Sequence, residues 1–207
     1  MIVCLVTDRR RFADPVRGLR DQVRRAVDAG IDLIQVRERD LEAAPLADLV
    51  GEVVAITRGS TTRVVVNDRL DVAIAAAADG VHLRHDSVGV ADARRLAAKG
   101  FVVGRSVHDL VETRTAAGAD YLIAGTVFKT TSKPDAVALL GTEGLRRIVA
   151  ASTAPVLAIG GVTLDRLDAV SAAGAAGIAA IGLFADGRLA ERVREARRRF
   201  DTVRSPS

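Results

Sequence analysis

Short apolar runs rich in valine, isoleucine and leucine alternate with longer alanine- and leucine-rich stretches along the whole 207-residue chain. The apolar runs lie at Ile2–Thr7, Leu33–Arg37, Arg63–Val66, Gly80–Leu83, Phe101–Gly104, Tyr121–Gly125, Val156–Gly160 and Gly177–Gly182. Helical stretches follow at Gly18–Ala29, Ala43–Thr57, Leu70–Ala77, Val90–Ala98, Leu110–Ala117, Glu143–Ala151, Leu164–Ala172 and Leu189–Phe200. Runs that are apolar at consecutive positions belong to strands covered on both faces. Strand–helix alternation implies a parallel sheet, and eight units predict an α/β fold of the (β/α)8 TIM-barrel type. A doubly wound open sheet would want a glycine-rich turn after the first strand, and Thr7-Asp8-Arg9-Arg10-Arg11 has no glycine. No linker or low-complexity stretch interrupts the pattern, so residues 1–207 read as one domain.

Hydrophobic residues make up 49% of the chain and charged residues 27%, which excludes a disordered composition. No apolar run approaches the roughly 18 residues of a membrane span. The stretch after Met1 is too short, and lacks the basic lead, for a signal peptide. The single cysteine, Cys4, is expected in the core of the first strand; without a disulfide partner it fits a reducing cytoplasm. Net charge is +4, and of the 30 basic residues only Lys99, Lys129 and Lys133 are lysine. The arginine-rich segment Arg192–Arg204 reads as the solvated face of a last helix, with Val193, Ala196 and Phe200 inward. Aromatics are only 3%, and base-stacking platforms are scarce, so neither nucleic acid nor membrane is expected as a partner. A homo-oligomer is left open.

In such barrels the chemistry sits on the loops that follow the strands. Those positions hold Asp8, Gln35, Arg37, Glu38, Arg39, Asn67, Asp68, Arg84, His85, Asp86, Ser87, Ser106 and His108. His108 closes the run Gly104-Arg105-Ser106-Val107-His108, and imidazole is the side chain best suited to move protons near neutral pH. Gly160 and Gly161 end the seventh strand, and Ile181 and Gly182 end the eighth. Adjacent glycine turns at these two strands favour a phosphate held by backbone N–H groups over simple tight turning. The long loop after the sixth strand joins Thr130, Thr131 and Ser132 to the ammonium groups of Lys129 and Lys133, a mixture that suits an anion. Asn67 or Asp68 could instead cap the helix near Leu70, and Ser106 the helix after His108. His82, inside the fourth strand, reads as a structural histidine.

Taken in order, Leu5-Val6-Thr7-Asp8, Gln35-Val36-Arg37-Glu38-Arg39, Val66-Asn67-Asp68-Arg69, Gly80-Val81-His82-Leu83, Gly125-Thr126-Val127-Phe128, Thr130-Thr131-Ser132-Lys133 and Ala158-Ile159-Gly160-Gly161 resemble the thiamine phosphate synthase/TenI family. The resemblance implies a (β/α)8 barrel and one of two activities. The synthase joins a pyrimidine diphosphate to a thiazole phosphate and expels pyrophosphate with Mg²⁺. It wants a lysine where this chain has Arg39, and a second aspartate metal ligand where it has Ser87. Asp68, with Asp86 one residue short, would then hold the metal, and Lys133 and Arg37 the diphosphate. The TenI-like tautomerase isomerises a carboxylated thiazole phosphate without a cofactor. Its pattern matches Arg37-Glu38-Arg39, Ser87 and Gly104-Arg105-Ser106-Val107-His108.

The expectation is the tautomerase acting on a small thiazole phosphate. His108 is the general acid–base, with Arg37 and Ser106 beside it. Gln35, Arg39, Asn67, Thr130, Ser132, Lys133, Gly160, Gly161, Ile181 and Gly182 hold the substrate. The synthase and a non-catalytic sensor of thiazole phosphate or a thiamine derivative are the alternatives.

Overall fold

The computed structural model describes residues 1–130 and 138–204, with side chains through residue 200. Its strands are β1 (Ile2–Val6), β2 (Leu33–Val36), β3 (Arg63–Asn67), β4 (Gly80–Leu83), β5 (Val102–Val107), β6 (Tyr121–Ala124), β7 (Val156–Ile159) and β8 (Gly177–Ala180). They form a closed barrel in chain order, and β8 returns to β1 through the parallel pairs Val3↔Ile178 and Leu5↔Ala180. The helices are α1 (Pro15–Asp28), α2 (Ala43–Thr57), α3 (Leu70–Ala75), α4 (Val90–Leu96), α5 (Leu110–Thr115), α6 (Gly141–Ala151), α7 (Leu167–Ala172) and α8 (Leu189–Arg204). The predicted TIM barrel is thus the observed fold.

Alternation along each strand sorts the side chains into two cores. Val3, Leu5, Ile34, Val64, Val66, Val81 and Val103 pack with helix residues such as Leu19, Val53, Ile148 and Phe200 in the outer shell. Cys4, Val6, Leu33, Val65, Tyr121, Ile123, Leu157 and Ala179 fill the barrel itself. Cys4 is fully buried there, and burial pushes its thiol well up, so it packs rather than reacts. Val193, Ala196 and Phe200 of α8 are buried, as their spacing predicts.

One strand runs further than its apolar run foretells. β5 continues past Gly104 to Val107, because Ser106 and Val107 keep pairing with Ile123 and Ala124 of β6. Ser106 is therefore a strand residue pointing into the barrel and not a helix cap. Asp109 caps α5 instead, accepting from the Glu112 N–H at 2.8 Å. Ser106 Oγ lies 2.9 Å from His82 Nε2, and His82 Nδ1 lies 3.0 Å from the Tyr121 hydroxyl. Gly104 makes room for that ring: a Cβ there would sit 2.1 Å from Tyr121 Cζ. Full burial pulls the His82 pKa down to about 3, with the nearby Arg105 charge adding to the effect.

The amino-terminal end of the barrel is fastened twice by the same device. The Asp32 carboxylate accepts from the Val3 N–H at 2.7 Å while its own N–H donates to the Val3 carbonyl at 3.1 Å. Asp120 grips Val103 identically, at 2.7 and 2.8 Å. Arg197 of α8 then bonds Asp32 and the carbonyls of Gly30 and Met1, and Arg94 of α4 bonds Asp120 and the carbonyls of Gly118 and Phe101. Both glycines are left-handed, at φ 72° and 85°, which turns their carbonyls toward the guanidinium. Asp79 repeats the carboxylate grip on the Val64 N–H at 2.7 Å. Each carboxylate satisfies a strand-end N–H that would otherwise lack a partner.

Asp120→Ala should therefore lose about 1–3 kcal/mol in urea unfolding, whereas Asp21→Ala, which breaks only exposed pairs with Arg17 and Arg24, should stay within about 0.5 kcal/mol. The His82 shift gives a second test. Its native pKa lies below the unfolded value of about 6.5, so between about pH 3 and 6.5 only the unfolded chain binds the proton. Stability contributed by neutral His82 is complete above that window and is lost as pH falls through it, by at most about 1.4 kcal/mol per pH unit. His82→Gln should be less stable at neutral pH yet show a shallower acid slope in urea titrations at stepped pH.

Candidate active site

Eight inward-facing residues, one per strand or strand end, make the floor of a cavity of about 500 Å³ at the carboxyl-terminal mouth of the barrel. Val6, Ile123, Ile159 and Ile181 supply an apolar half, and Gln35, Asn67, His82 and Ser106 a polar half. The polar side is preset in pairs. Gln35 Nε2 donates to Asn67 Oδ1 at 2.9 Å, and His82 meets Ser106.

Above the floor the cavity is ringed by guanidinium groups. Arg10, Arg11, Arg37, Arg39 and Arg84 line it, while among its described lining residues Asp8 is the sole carboxylate. Asp8 lies 3.4 Å from Arg10 and 3.3 Å from Arg11. Arg37 is half-buried, and desolvation together with the like charge of Arg39 lowers its pKa. A bound anion would offset both penalties.

This ring rests on Glu38, a buried carboxylate just beyond β2. It accepts from Thr7 Oγ1 at 2.6 Å and from the backbone N–H of Arg9 at 3.1 Å, and pairs with Arg9 Nη1 at 3.2 Å. Thr7 Oγ1 in turn accepts from the Arg37 N–H at 2.9 Å. Arg9 also pairs with Asp40 at 2.7 Å and holds that carboxyl down at about 2. The turn Arg9–Arg11 is thereby locked to β2, with Arg10 and Arg11 left facing the cavity.

His108 follows β5 directly and stands at the rim. Its Nδ1 is 2.8 Å from Glu112 Oε2, which also accepts the His108 backbone N–H at 2.7 Å. The carboxylate thus fixes the ring and leaves Nε2 as the nitrogen it does not engage. His85 packs edge-on against it, ring centroids 4.8 Å apart.

The glycine turns divide between two cavities. Gly160 and Ile181 face the central one, whereas Gly161 and Gly182 line a neighbouring cavity of about 530 Å³ with Lys129, Arg166, Arg188 and Arg192. Thr130 lines both. Gly160 and Gly161 are left-handed, and a Cβ on Gly161 would lie 2.4 Å from the Lys129 carbonyl. Those two glycines therefore answer to backbone conformation and loop packing. Gly182 differs, since a Cβ there would meet nothing within 4 Å, which leaves its backbone open to a ligand.

The carboxylates that the sequence offers to a divalent cation are arranged otherwise. Asp68 does not cap α3, whose N-cap position is Arg69. It sits left-handed at φ 62° with its N–H on the His82 carbonyl at 2.8 Å. Its Oδ1 is 3.4 Å from the Arg84 N–H and its Oδ2 is 3.8 Å from the Arg84 guanidinium. Asp86 pairs with Arg84 at 2.5 Å. No group of three or more His, Cys, Asp or Glu side chains is placed to hold a metal ion among the described residues. This donor set does not fit a divalent ion, because a guanidinium already spans both carboxylates. Ser132 and Lys133 lie outside the described residues.

Of the predicted residues, Gln35, Arg37, Arg39, Asn67, Ser106, His108, Thr130, Gly160 and Ile181 converge on the central cavity. Arg10, Arg11 and Glu112 were not anticipated. The first two belong to the Arg9–Arg11 run, noted in the sequence only for its lack of glycine, and Glu112 is recognisable only from its i+4 relation to His108.

A family model described as thiamine monophosphate synthase matches residues 3–184. A thiamine-phosphate synthase of Methanoregula boonei is 43% identical over 178 residues, covering 84% of this chain and 82% of that protein. Another, from Roseiflexus sp., is 38% identical and covers 87% of this chain and 76% of its own. Among solved structures, thiamine phosphate pyrophosphorylase from Pyrococcus furiosus superposes with a TM-score of 0.84 at 32% identity, covering 99% of this chain and 97% of that one. A 3-hexulose-6-phosphate synthase at 18% identity, TM-score 0.66 and 96% and 99% coverage shares the fold alone. The chain therefore belongs to the thiamine monophosphate synthase family, the synthase/TenI family of thiamine biosynthesis that its motifs resemble.

Proposed function

We propose that the chain is a thiamine-phosphate synthase, joining a pyrimidine diphosphate to a thiazole phosphate with release of pyrophosphate. The observation that carries this reading is the charge of the cavity: five guanidiniums against one lining carboxylate. A diphosphate beside a phosphate monoester needs that much positive charge, while a substrate with one phosphate and one carboxylate needs less. The volume suits two small substrates together. The names of the relatives support the same choice over the tautomerase that Arg39 and Ser87 favour by pattern.

In this reading the C–O bond to the diphosphate breaks, pyrophosphate leaves with the electron pair, and the thiazole nitrogen lone pair forms the new C–N bond to the carbon it leaves. Arg37, Arg39 and Arg84, which line the cavity, stabilise the charge that grows on the leaving oxygen. The apolar half of the floor seats the rings, and Gln35, Asn67 and Ser106 present polar atoms to them. The thiazole phosphate reaches past Thr130, which lines both cavities, toward the open backbone of Gly182 in the neighbouring one.

One observation favours the tautomerase as a second reading. The His108–Glu112 pair is an imidazole held by a carboxylate at the cavity rim, an arrangement suited to proton transfer. The two are separated by assaying both reactions side by side. Pyrophosphate release that requires both substrates together, and that falls about tenfold to a hundredfold in Arg37→Ala, is the expected result. Isomerisation of the carboxylated thiazole phosphate, lost by about 10²–10⁴-fold in His108→Asn and without pyrophosphate release from the paired substrates, would overturn the synthase reading.

A further inference from the structure

The loop after β4 brings one cation, Arg84, within reach of two carboxylates, Asp68 and Asp86. Arg84 Nη2 bonds Asp86 at 2.5 Å, and its Nη1 lies 3.8 Å from Asp68 Oδ2, so both acids are oriented by one guanidinium. Asp68 is itself held in the left-handed conformation by the Asp68 N–H to His82 carbonyl bond, and a non-glycine residue there is strained. The loop is pinned from below. Buried Arg105 of β5 donates to the carbonyls of Val88 at 2.6 Å and His85 at 2.8 Å. Arg84 thus stands on a pinned loop with its guanidinium oriented by Asp86, and it lines the central cavity while Asp68 does not.

A guanidinium has five N–H donors. Among the described residues the contact to Asp86 is the one direct hydrogen bond of the Arg84 side chain, and 3.8 Å to Asp68 is an ion pair beyond hydrogen-bond length. Donors therefore remain for an oxygen anion on the cavity side. Between two acids, the guanidinium does the electrostatic work that a divalent ion does when it bridges carboxylates to a diphosphate. It also excludes such an ion, because a metal at the same place would meet a fixed positive charge instead of free carboxylate oxygens.

We propose that Arg84, buttressed by Asp68 and Asp86, is a built-in cation that takes the diphosphate oxygens directly, so that this chain binds a diphosphate without a divalent metal ion. The proposal rests on the diphosphate substrate of the synthase reading and adds how that group is held.

Calorimetric titration of the purified protein with inorganic pyrophosphate, in EDTA and in excess Mg²⁺, tests it. Affinity in EDTA should match that in Mg²⁺ within about threefold, a difference under about 1 kcal/mol. Arg84→Ala should lose about tenfold to a hundredfold in EDTA and recover with Mg²⁺. Its freed carboxylates should bind Mn²⁺, seen by electron paramagnetic resonance, where the wild type does not. Arg84→Lys, retaining the charge, should keep more of the EDTA affinity than Arg84→Ala, and thermal melting of both variants controls for folding. Pyrophosphate binding by the wild type that needs Mg²⁺, no binding under either condition, or unchanged EDTA affinity in a folded Arg84→Ala would each overturn the proposal. Two-substrate turnover alongside Mg²⁺-dependent binding defeats this inference alone. Metal-free pyrophosphate binding without turnover defeats the synthase reading alone.

Discussion

Concentrating guanidinium groups around one small cavity is electrostatically costly, and the buried Glu38 carboxylate is what makes it tolerable. It collects the Thr7 hydroxyl, the Arg9 N–H and the Arg9 guanidinium, three donors that reach it from the segment after β1. Without it the turn Arg9–Arg11 would be tied to the segment after β2 only through the exposed Arg9–Asp40 pair. A buried carboxylate is itself stable only when its oxygens are satisfied by such donors. The site is therefore built outward from one anion, with Asp8, Asp40, Asp68 and Asp86 each steadying a neighbouring arginine. What remains unneutralised faces the cavity, where an anionic substrate completes the balance.

The opposite end of the barrel shows a different economy. The clamp of Asp32 and Arg197 and that of Asp120 and Arg94 sit four strands apart and use the same atoms on Val3 and Val103. The barrel is thus fastened at two opposite points, and Arg197 belongs to the arginine-rich last helix. Its residues divide the labour: Arg197 ties the helix to the chain start, while Arg198 and Arg199 pair with Glu195 on the helix surface. Fixing the amino ends in this way leaves the carboxyl ends free to carry strain, as Asp68 does, without loosening the fold.

Much of the site was readable along the chain because a barrel brings strand ends together by rule. Gln35, Asn67 and His108 follow from that rule alone, each at or beyond an apolar run. Ser106 was placed correctly in the cavity but for the wrong local reason, since a strand can continue through polar residues when its neighbour still pairs with it. Arg84 stood among the strand-end polar residues without an assigned role, and the triple-arginine run was not read as a binding group, because the partner of a loop charge does not show until the cavity beneath it is seen. The division of the glycine turns between two cavities was equally hidden, since adjacent glycines in sequence need not face the same space.

The sequence by itself determined the eight-unit barrel, the family and the ring of polar strand ends, because hydrophobic periodicity and short motifs are local properties that the chain carries wherever it folds. Only the tertiary structure decided which charges meet. That Arg84 reaches Asp68, that Glu38 anchors Arg9, and that His82 is a neutral link between Ser106 and Tyr121 depend on distances between residues far apart in sequence. Electrostatic roles are set by burial and by the nearest counter-charge, and neither is a property of one residue's place in the chain.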